Sequence, residues 1–416
     1  MKDNNNLKKL VVDENISLKK IMSAINQNSY GACFITSNSK FKAVITDGDI
    51  RKIILKKHSL NQNISKFIKN KKSVVLNYLS TDLEILKKLS NNIKIIPLIN
   101  DDRIIVDFST IEKVKKINIY DTNLKGNELN YVVNCLKTGW ISSVGKYVLL
   151  FEEKFSKLFK SKYSLSVTSG STGLHLALKT LGIGHDDEVI MPNLTFAATI
   201  NAIINVGAKP VLVDVDKNTY NINPNLIKKK ISPKTKAVMC VHLYGQPCEM
   251  NSILEITRKN KLYLIEDCAE ALGSKYKNKF VSSFGDISVF SFFGNKTVTT
   301  GEGGMLVTNN KVFFQKAKLL RNHGMDQNKK YWHNVIGFNY RMTNLQAAVG
   351  LAQLENIDKI ICKKKQIAKK YEQEIKKLPN NIKKIIYMPA KKKIFLNTFW
   401  LYNIRIKSLT EKKRNK

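Results

Sequence analysis

The stretch DISVFSFFGNKTVTTGEGGMLVTN, Asp286–Asn309, holds two apolar runs, DISVFSF (Asp286–Phe292) and MLVTN (Met305–Asn309), with a lysine, Lys296, between them. Short apolar runs bounded by glycine and small polar residues read as buried β-strands. A lysine between two such strands is either a solvated loop residue or an amine held at a sheet end to react. With 70 Lys and Arg in 416 residues, the loop reading is the default. Displacing it requires neighbours that bind a reaction partner for the amine.

Outward from this stretch, apolar runs alternate with helical patterns. They are LSVTS (165–169), EVIMP (188–192), PVLVDV (210–215), AVMCVH (237–242) and LYLIED (262–267). This order predicts an α/β domain with a mixed, mostly parallel sheet covered on both faces. In open α/β sheets, ligands gather beyond the carboxyl ends of the strands. One such end carries SGSTGLHLALKTL (169–181), a small-residue turn opening a helix. Its backbone N–H groups and helix dipole suit a phosphate. Another carries LIEDCAEALGS (264–274), where Asp267 ends an apolar strand. A buried carboxylate there needs a cation or several donors, although Asp267 and Glu270 also resemble a helix capping pair. A phosphate cup, a buried aspartate and a lysine together are what pyridoxal 5′-phosphate requires. The aspartate pairs with the protonated pyridine nitrogen and the lysine forms the Schiff base. Phe196, in PNLTFAAT, is placed to stack on the ring, although a lone phenylalanine is more often core.

Residues from about 117 to 402 resemble the DegT/DnrJ/EryC1/StrS sugar aminotransferases, of the fold type I (aspartate aminotransferase-like) class. The resemblance rests on TGWISSVGKYVLLFEEKF, SGSTGLHLAL, MPNLTFAATINAI, HLYGQP, IEDCAEALGS, SFFGNKTVTTGEGGML, LRNHG and GFNYRMTNLQAAVGLAQLE, in that order. It implies that Lys296 is the Schiff-base lysine and proton shuttle and Asp267 the pyridinium partner. Gly170, Ser171, Thr172 and Ser291 become phosphate ligands. Asn339 becomes the residue reaching the phosphate from a neighbouring subunit, which implies a homodimer with shared sites. Glu270 stands where relatives often carry His or Gln beside the ring hydroxyl, so a glutamate there has to be protonated or bonded through water. Relatives that dehydrate carry histidine at the position of Lys296. The implied reaction is amine transfer from glutamate to a nucleotide-diphosphate 4-keto-6-deoxy sugar, for a surface polysaccharide or glycan. Open alternatives are a UDP- or dTDP-linked or 3-keto substrate, or an inactive, nucleotide-regulated binding protein.

Residues 1–115 read as helix, strand, strand, helix, twice over. AVITDGDIR (Ala43–Arg51) makes the segment resemble a tandem CBS pair, a small α+β domain. That resemblance makes Thr46 and Asp49 a candidate adenosine-nucleotide site; the second repeat, IIVDFSTIEKV, lacks the pattern. The expected division is residues 1–115, a cofactor-binding domain over 116–345, and a long helix with a C-terminal small domain over 346–416. One helix is expected from about Thr343 into the lysine-rich 360s, and one strand over FWLYNIRI (399–406). Family chains continue past that strand, so the small domain is expected to be incomplete.

The net charge of +37 reads as a Lys-rich bias on solvated faces. Runs such as Lys228–Lys230 lack aromatic interleaving, so no specific nucleic-acid partner is expected. No window approaches the ~18 apolar residues of a membrane span, and MKDNNNLKKL has no signal-peptide character. Six scattered cysteines without CxxC pairs predict reduced thiols, no metal site and a cytoplasmic setting.

Overall fold

Seven of the apolar runs between residues 163 and 308 assemble into one sheet in the computed structural model, which describes residues 4–90, 92–114, 122–326 and 328–407. In chain order its strands are β1 (Tyr163–Val167), β2 (Glu188–Pro192), β3 (Lys209–Val213), β4 (Thr235–Val241), β5 (Tyr263–Asp267), β6 (Ile287–Ser291) and β7 (Gly304–Thr308). Their spatial order is β1-β7-β6-β5-β4-β2-β3. Strands β3, β2, β4, β5 and β6 pair in parallel. Strand β7 runs antiparallel to both neighbours. The sheet is therefore mixed and mostly parallel, as expected.

The pleat sends alternate side chains to opposite faces, and the core follows that rule. Met239, Ile265, Val289 and Leu306 enter one apolar cluster with helix α3 (Gly170–Leu181) and helix α4 (Ala197–Asn205). Their chain neighbours Phe290, Met305 and Val307 enter another, with helix α2 (Lys146–Phe159). Phe151, Phe155 and Phe159 recur every four residues on α2, which places them on one stripe. All three are buried and meet Phe290 or Phe292 edge-on or tilted, with centroids 5.1–6.0 Å apart. Burying each such ring contributes roughly 1.5–3 kcal/mol.

Helix α7 (Asn344–Glu355) starts with a capping box formed by Thr343 and Gln346. Its Ala347, Ala348, Leu351 and Leu354 join the α2 cluster. The expected single helix from Thr343 is two. At Asn356 the backbone turns to φ −108°, ψ 10°, and helix α8 (Ile357–Lys377) begins. Asparagine competes for backbone groups through its short amide and suits such a break; its Nδ2 donates to the Ala352 carbonyl at 3.4 Å. The expected strand over residues 399–406 is also absent as a unit. Phe395–Leu396 pairs with Lys275–Tyr276, and Arg405–Ile406 with Ile386–Tyr387. Between them Phe399 has φ +53°, which breaks an extended run. Residues 408–416, the basic tail, lie outside the described residues.

The chain divides into two compact units, Met1–Ile119 and Tyr120–Lys416. The smaller one repeats a topology. Val11–Asp13 pairs in parallel with Ala32–Ser37, which pairs antiparallel with Lys40–Thr46. Leu76–Asn77, Ile95–Ile99 and Ile105–Thr110 do the same. Phe34 and Val44 of one half share a core with Ile95, Ile105 and Phe108 of the other. Among the described residues, Ile111–Val114 form a turn where the second copy's closing helix was expected.

Candidate active site

Strand alternation also sorts two adjacent carboxylates. Asp267 ends β5 on the face of Ile265, toward α4. Thr199, on the first turn of α4, donates from Oγ1 to Asp267 Oδ2 at 2.9 Å, and the Ala269 N–H donates to Oδ1 at 3.1 Å. No helix follows Asp267; residues 269–273 form turns, which disposes of the capping alternative. Burial pushes its carboxyl above the usual aspartate range, against the pull of those two bonds and of Lys296. One donor on each oxygen leaves a buried carboxylate short of compensation.

Glu266 points to the other face and is fully supplied. The N–H groups of Ser282, Phe284 and Gly285, the Ser288 hydroxyl and His242 Nε2 all reach it within 3.2 Å. Burial pushes this carboxyl up, but the His242 bond and the backbone donors outweigh it and hold Glu266 below the usual glutamate range. His242 Nδ1 accepts the Cys248 N–H at 3.0 Å, which assigns its proton to Nε2. His242, Glu266 and Cys268 bring metal-type donors within 4.8 Å of one another, yet both imidazole nitrogens and both Glu266 oxygens are already hydrogen-bonded.

Lys296 lies in the loop between β6 and β7, with a side chain only 12% exposed. Its Nζ is 3.6 Å from Glu270 Oε1 and 4.0 Å from the centroid of the Trp400 ring. Burial depresses the amine below the usual lysine range, opposed by the charges of Glu270 and Asp267. Glu270 is raised by burial, against the pull of Lys296 and of the Tyr244 N–H, which donates to its Oε2 at 2.8 Å. The structure thus brings Lys296, Asp267 and Glu270 into one electrostatic cluster at the carboxyl ends of β5 and β6.

The small-residue turn is where the sequence placed it. Ser169 caps α3 and Thr172 closes the box from the third helical position. The first amides of a helix have no intrahelical acceptor. Gly170 packs against the end of β6 so closely that a Cβ there would sit 2.9 Å from Ser291 Cβ. This cradle, the under-supplied Asp267 and the depressed amine fit pyridoxal phosphate: an anion site, a partner for a cationic ring nitrogen and an amine for its aldehyde. Phe196 stands at the N-cap of α4 and is 71% exposed, so it is not a core residue. Asn339 is exposed and accepts from Arg341 Nε at 3.2 Å; within the single chain it stands apart from this cluster's contacts. In the smaller unit, Thr46 caps Asp47–Leu55 and Asp49 closes that box. Asp49 also pairs with Lys71 at 2.6 Å, so both side chains have structural partners.

Four contributors escaped the sequence reading. Thr199 was hidden in PNLTFAATI; His242 and Tyr244 lie in HLYGQP, a phrase that carried no assigned role. Trp400 lies in the stretch expected as a strand.

The fold and the cluster define a pyridoxal-phosphate-dependent aminotransferase of fold type I. Comparison with known proteins sharpens that class. The chain belongs to the DegT/DnrJ/EryC1/StrS aminotransferase family, whose profile matches residues 122–416. It is 47% identical over 299 residues to the GDP-perosamine synthase of Escherichia coli O157:H7, covering 72% of this chain and 80% of that one. The GDP-perosamine synthase of Caulobacter vibrioides is 46% identical over 291 residues, 70% and 77% of the two chains. A Streptococcus pneumoniae protein solved in its PLP form and named for sugar aminotransfer superposes with a TM-score of 0.65 at 27% identity, covering 71% of this chain and 81% of that one. Among the described residues no helix is long and apolar enough to cross a membrane.

Proposed function

We propose that the chain moves an amino group from glutamate to the C4 ketone of a GDP-linked 4-keto-6-deoxy sugar, in the cytoplasm, for a surface polysaccharide or glycan. The observation that carries it is the Lys296 amine, buried 3.6 Å from Glu270 in one electrostatic cluster with Asp267. The likeness to two GDP-perosamine synthases supports the choice of sugar nucleotide.

Pyridoxal phosphate, when bound, supplies an electron sink that lets a proton leave the carbon bearing the amine. The chain's residues then have distinct tasks. Lys296 Nζ takes up and returns that proton from one face. An amine depressed by burial gives up its proton more readily than an ordinary lysine, which suits this task. Asp267 keeps the ring nitrogen protonated, and Thr199 fixes the carboxylate that does so. Gly170, Ser171, Thr172 and Ser291 hold the phosphate. Phe196 offers a ring face. Glu270, 3.6 Å from Lys296 Nζ, stands beside the ring hydroxyl and meets it as the acid or through water. Asn339 reaches the phosphate of a second copy in a homodimer.

Residues 1–115 are proposed as the CBS-like pair, with Thr46 and Asp49 meeting the ribose and phosphate of an adenosine nucleotide. Such a ligand has to compete with Lys71 for Asp49. Calorimetry with AMP and ATP on the intact chain tests it; no heat with either removes this assignment.

The central test is mass spectrometry of the PLP-loaded, borohydride-reduced protein, with amine transfer from glutamate to GDP-, UDP- and dTDP-linked keto sugars. A pyridoxyl adduct on Lys296 and turnover of the GDP-4-keto-6-deoxy sugar are expected. An adduct elsewhere rejects the site. Turnover of only a UDP- or dTDP-linked or 3-keto sugar rejects the substrate.

A further inference from the structure

Lys296 is bracketed from two sides. Glu270 Oε1 lies 3.6 Å from its Nζ, and the Trp400 ring lies 4.0 Å from it at the centroid. The indole is itself anchored. Its Nε1–H donates to the carbonyl of Asn295, the residue before the lysine, at 2.8 Å. It lies parallel to the Tyr244 ring, with centroids 6.4 Å apart and planes 15° apart. Tyr244 in turn gives its backbone N–H to Glu270, from a left-handed conformation at φ +56°.

The segment bearing Trp400 is pinned to this turn and to its neighbours. Thr398 Oγ1 is 2.8 Å from Ser274 Oγ, Asn397 Nδ2 donates to Gln246 Oε1 at 3.2 Å, and Lys364 of α8 donates to the Trp400 carbonyl at 3.3 Å. Gly245 leaves no room for a side chain. A Cβ there would stand 2.9 Å from the Phe399 nitrogen and 3.1 Å from that of Trp400. HLYGQP and residues 397–400 therefore form one bracket around the lysine.

We propose that Trp400 is a positioning residue for Lys296, its indole face and the Glu270 carboxylate together holding the lysine ammonium at the carboxyl end of the sheet. A cation over an aromatic face is stabilised relative to the neutral amine, whereas burial favours the neutral form. Trp400 thus works against the depression that burial imposes. The groups facing this amine are Asp267 at the end of β5, Glu270 in the turn after it, and Trp400 itself. Tyr244, on the HLYGQP turn, lies parallel to the indole, and Lys364, on α8, donates to the Trp400 carbonyl. The proposal rests on Lys296 being the amine that meets the cofactor.

The test is the pH dependence of the rate at which cofactor-stripped full-length protein takes up pyridoxal phosphate, read by absorbance, with borohydride trapping to locate the adduct. Trp400→Leu keeps apolar bulk without a π face and is expected to weaken the proton affinity of Lys296 roughly tenfold. Its rate profile then moves about one pH unit lower. Trp400→Phe, which keeps a face but loses the Asn295 bond, is expected to stay near the wild-type profile. A Trp400→Leu profile unmoved or moved upward, with the adduct still on Lys296, overturns this proposal alone. An adduct on another residue overturns the site reading instead.

A second measurement needs no change at Trp400. In a Trp140→Phe, Trp332→Phe background, Trp400 fluorescence of the stripped chain is expected to titrate with the uptake profile. Lys296→Met is expected to abolish that titration. Fluorescence flat across the same pH range, or unchanged by Lys296→Met, overturns the proposal.

Discussion

Replacing Glu266 with glutamine changes one atom at the back of the site. In the wild type, one carboxylate oxygen accepts from Phe284 N, Gly285 N and Ser288 Oγ, and the other from Ser282 N and His242 Nε2. A glutamine amide offers one acceptor and one donor group. In its better orientation the NH₂ faces Ser282 N–H and His242 Nε2–H, both donors. Re-tautomerising His242 relieves one clash only by breaking its bond to the Cys248 N–H. At least two buried donors then lose their acceptor, at about 1–3 kcal/mol each, which gives about 4 kcal/mol.

For a unit of this size, an unfolding entropy of roughly 2.1 cal/mol/K per residue converts that loss to about 6 °C in Tm. The assay is guanidinium unfolding followed by near-UV circular dichroism, with calorimetry for Tm. The pH dependence has a fixed sign. Glu266 is held below the usual glutamate range, so its contribution is present above the unfolded value and lost as pH falls through the folded one. Glu266→Gln is expected to lack that acid-side loss. A cost under about 1 kcal/mol, or an unchanged acid limb, refutes the account of Glu266 as an ionised, donor-saturated carboxylate.

Lys296→Met is expected to abolish the pyridoxyl adduct and amine transfer. Because burial depresses Lys296, stability of the stripped wild type rises with pH between the folded value and the ordinary lysine value, where the unfolded chain binds the extra proton. The variant's urea midpoint should lack that rise; an unchanged pH slope contradicts the burial argument. Thr199→Val removes one of the two Asp267 donors and should weaken cofactor affinity roughly tenfold, about 1–2 kcal/mol, measured by equilibrium dialysis. Affinity unchanged by it would mean Thr199 does not serve Asp267. Gly170→Ala forces a methyl to within 2.9 Å of Ser291 Cβ, at a cost of about 1–3 kcal/mol. Adding Ser291→Gly should recover part of the stability; if Gly170→Ala is silent, the α3 cradle is not tightly closed.

Much of the large sheet was legible because each strand is a short apolar run with helix-length spacing, and β2 spans the very residues of EVIMP. Lys296, Asp267 and the α3 turn were legible because each interrupts such a run at its end. The break at Asn356 was not, because apolar periodicity continues across it and one backbone conformation decides it. Residues 399–406 misled for the opposite reason. Aromatic and β-branched residues read as strand, while Phe399 takes a positive φ and Thr398 is fully buried against Ser274. Such long-range contacts leave no local signature, which also explains why Thr199, Tyr244 and Trp400 went unassigned.

The pair Glu266 and Asp267 shows how one chemical type takes two roles through geometry alone. Both carboxylates are buried at the end of β5, and both face the same penalty for losing water. The pleat sends them apart. Glu266 enters a loop whose backbone N–H groups saturate it, so its charge is settled within the fold and nothing further is required of it. Asp267 receives one hydrogen bond on each oxygen and remains raised, so the fold leaves its charge partly uncompensated. A cationic ring nitrogen is the kind of partner that completes it. By linkage, supplying that partner must lower the proton affinity of Asp267. The affinity for the cofactor should therefore fall as pH drops through the stripped protein's raised Asp267 value, with a steeper acid limb than Asp267→Asn shows.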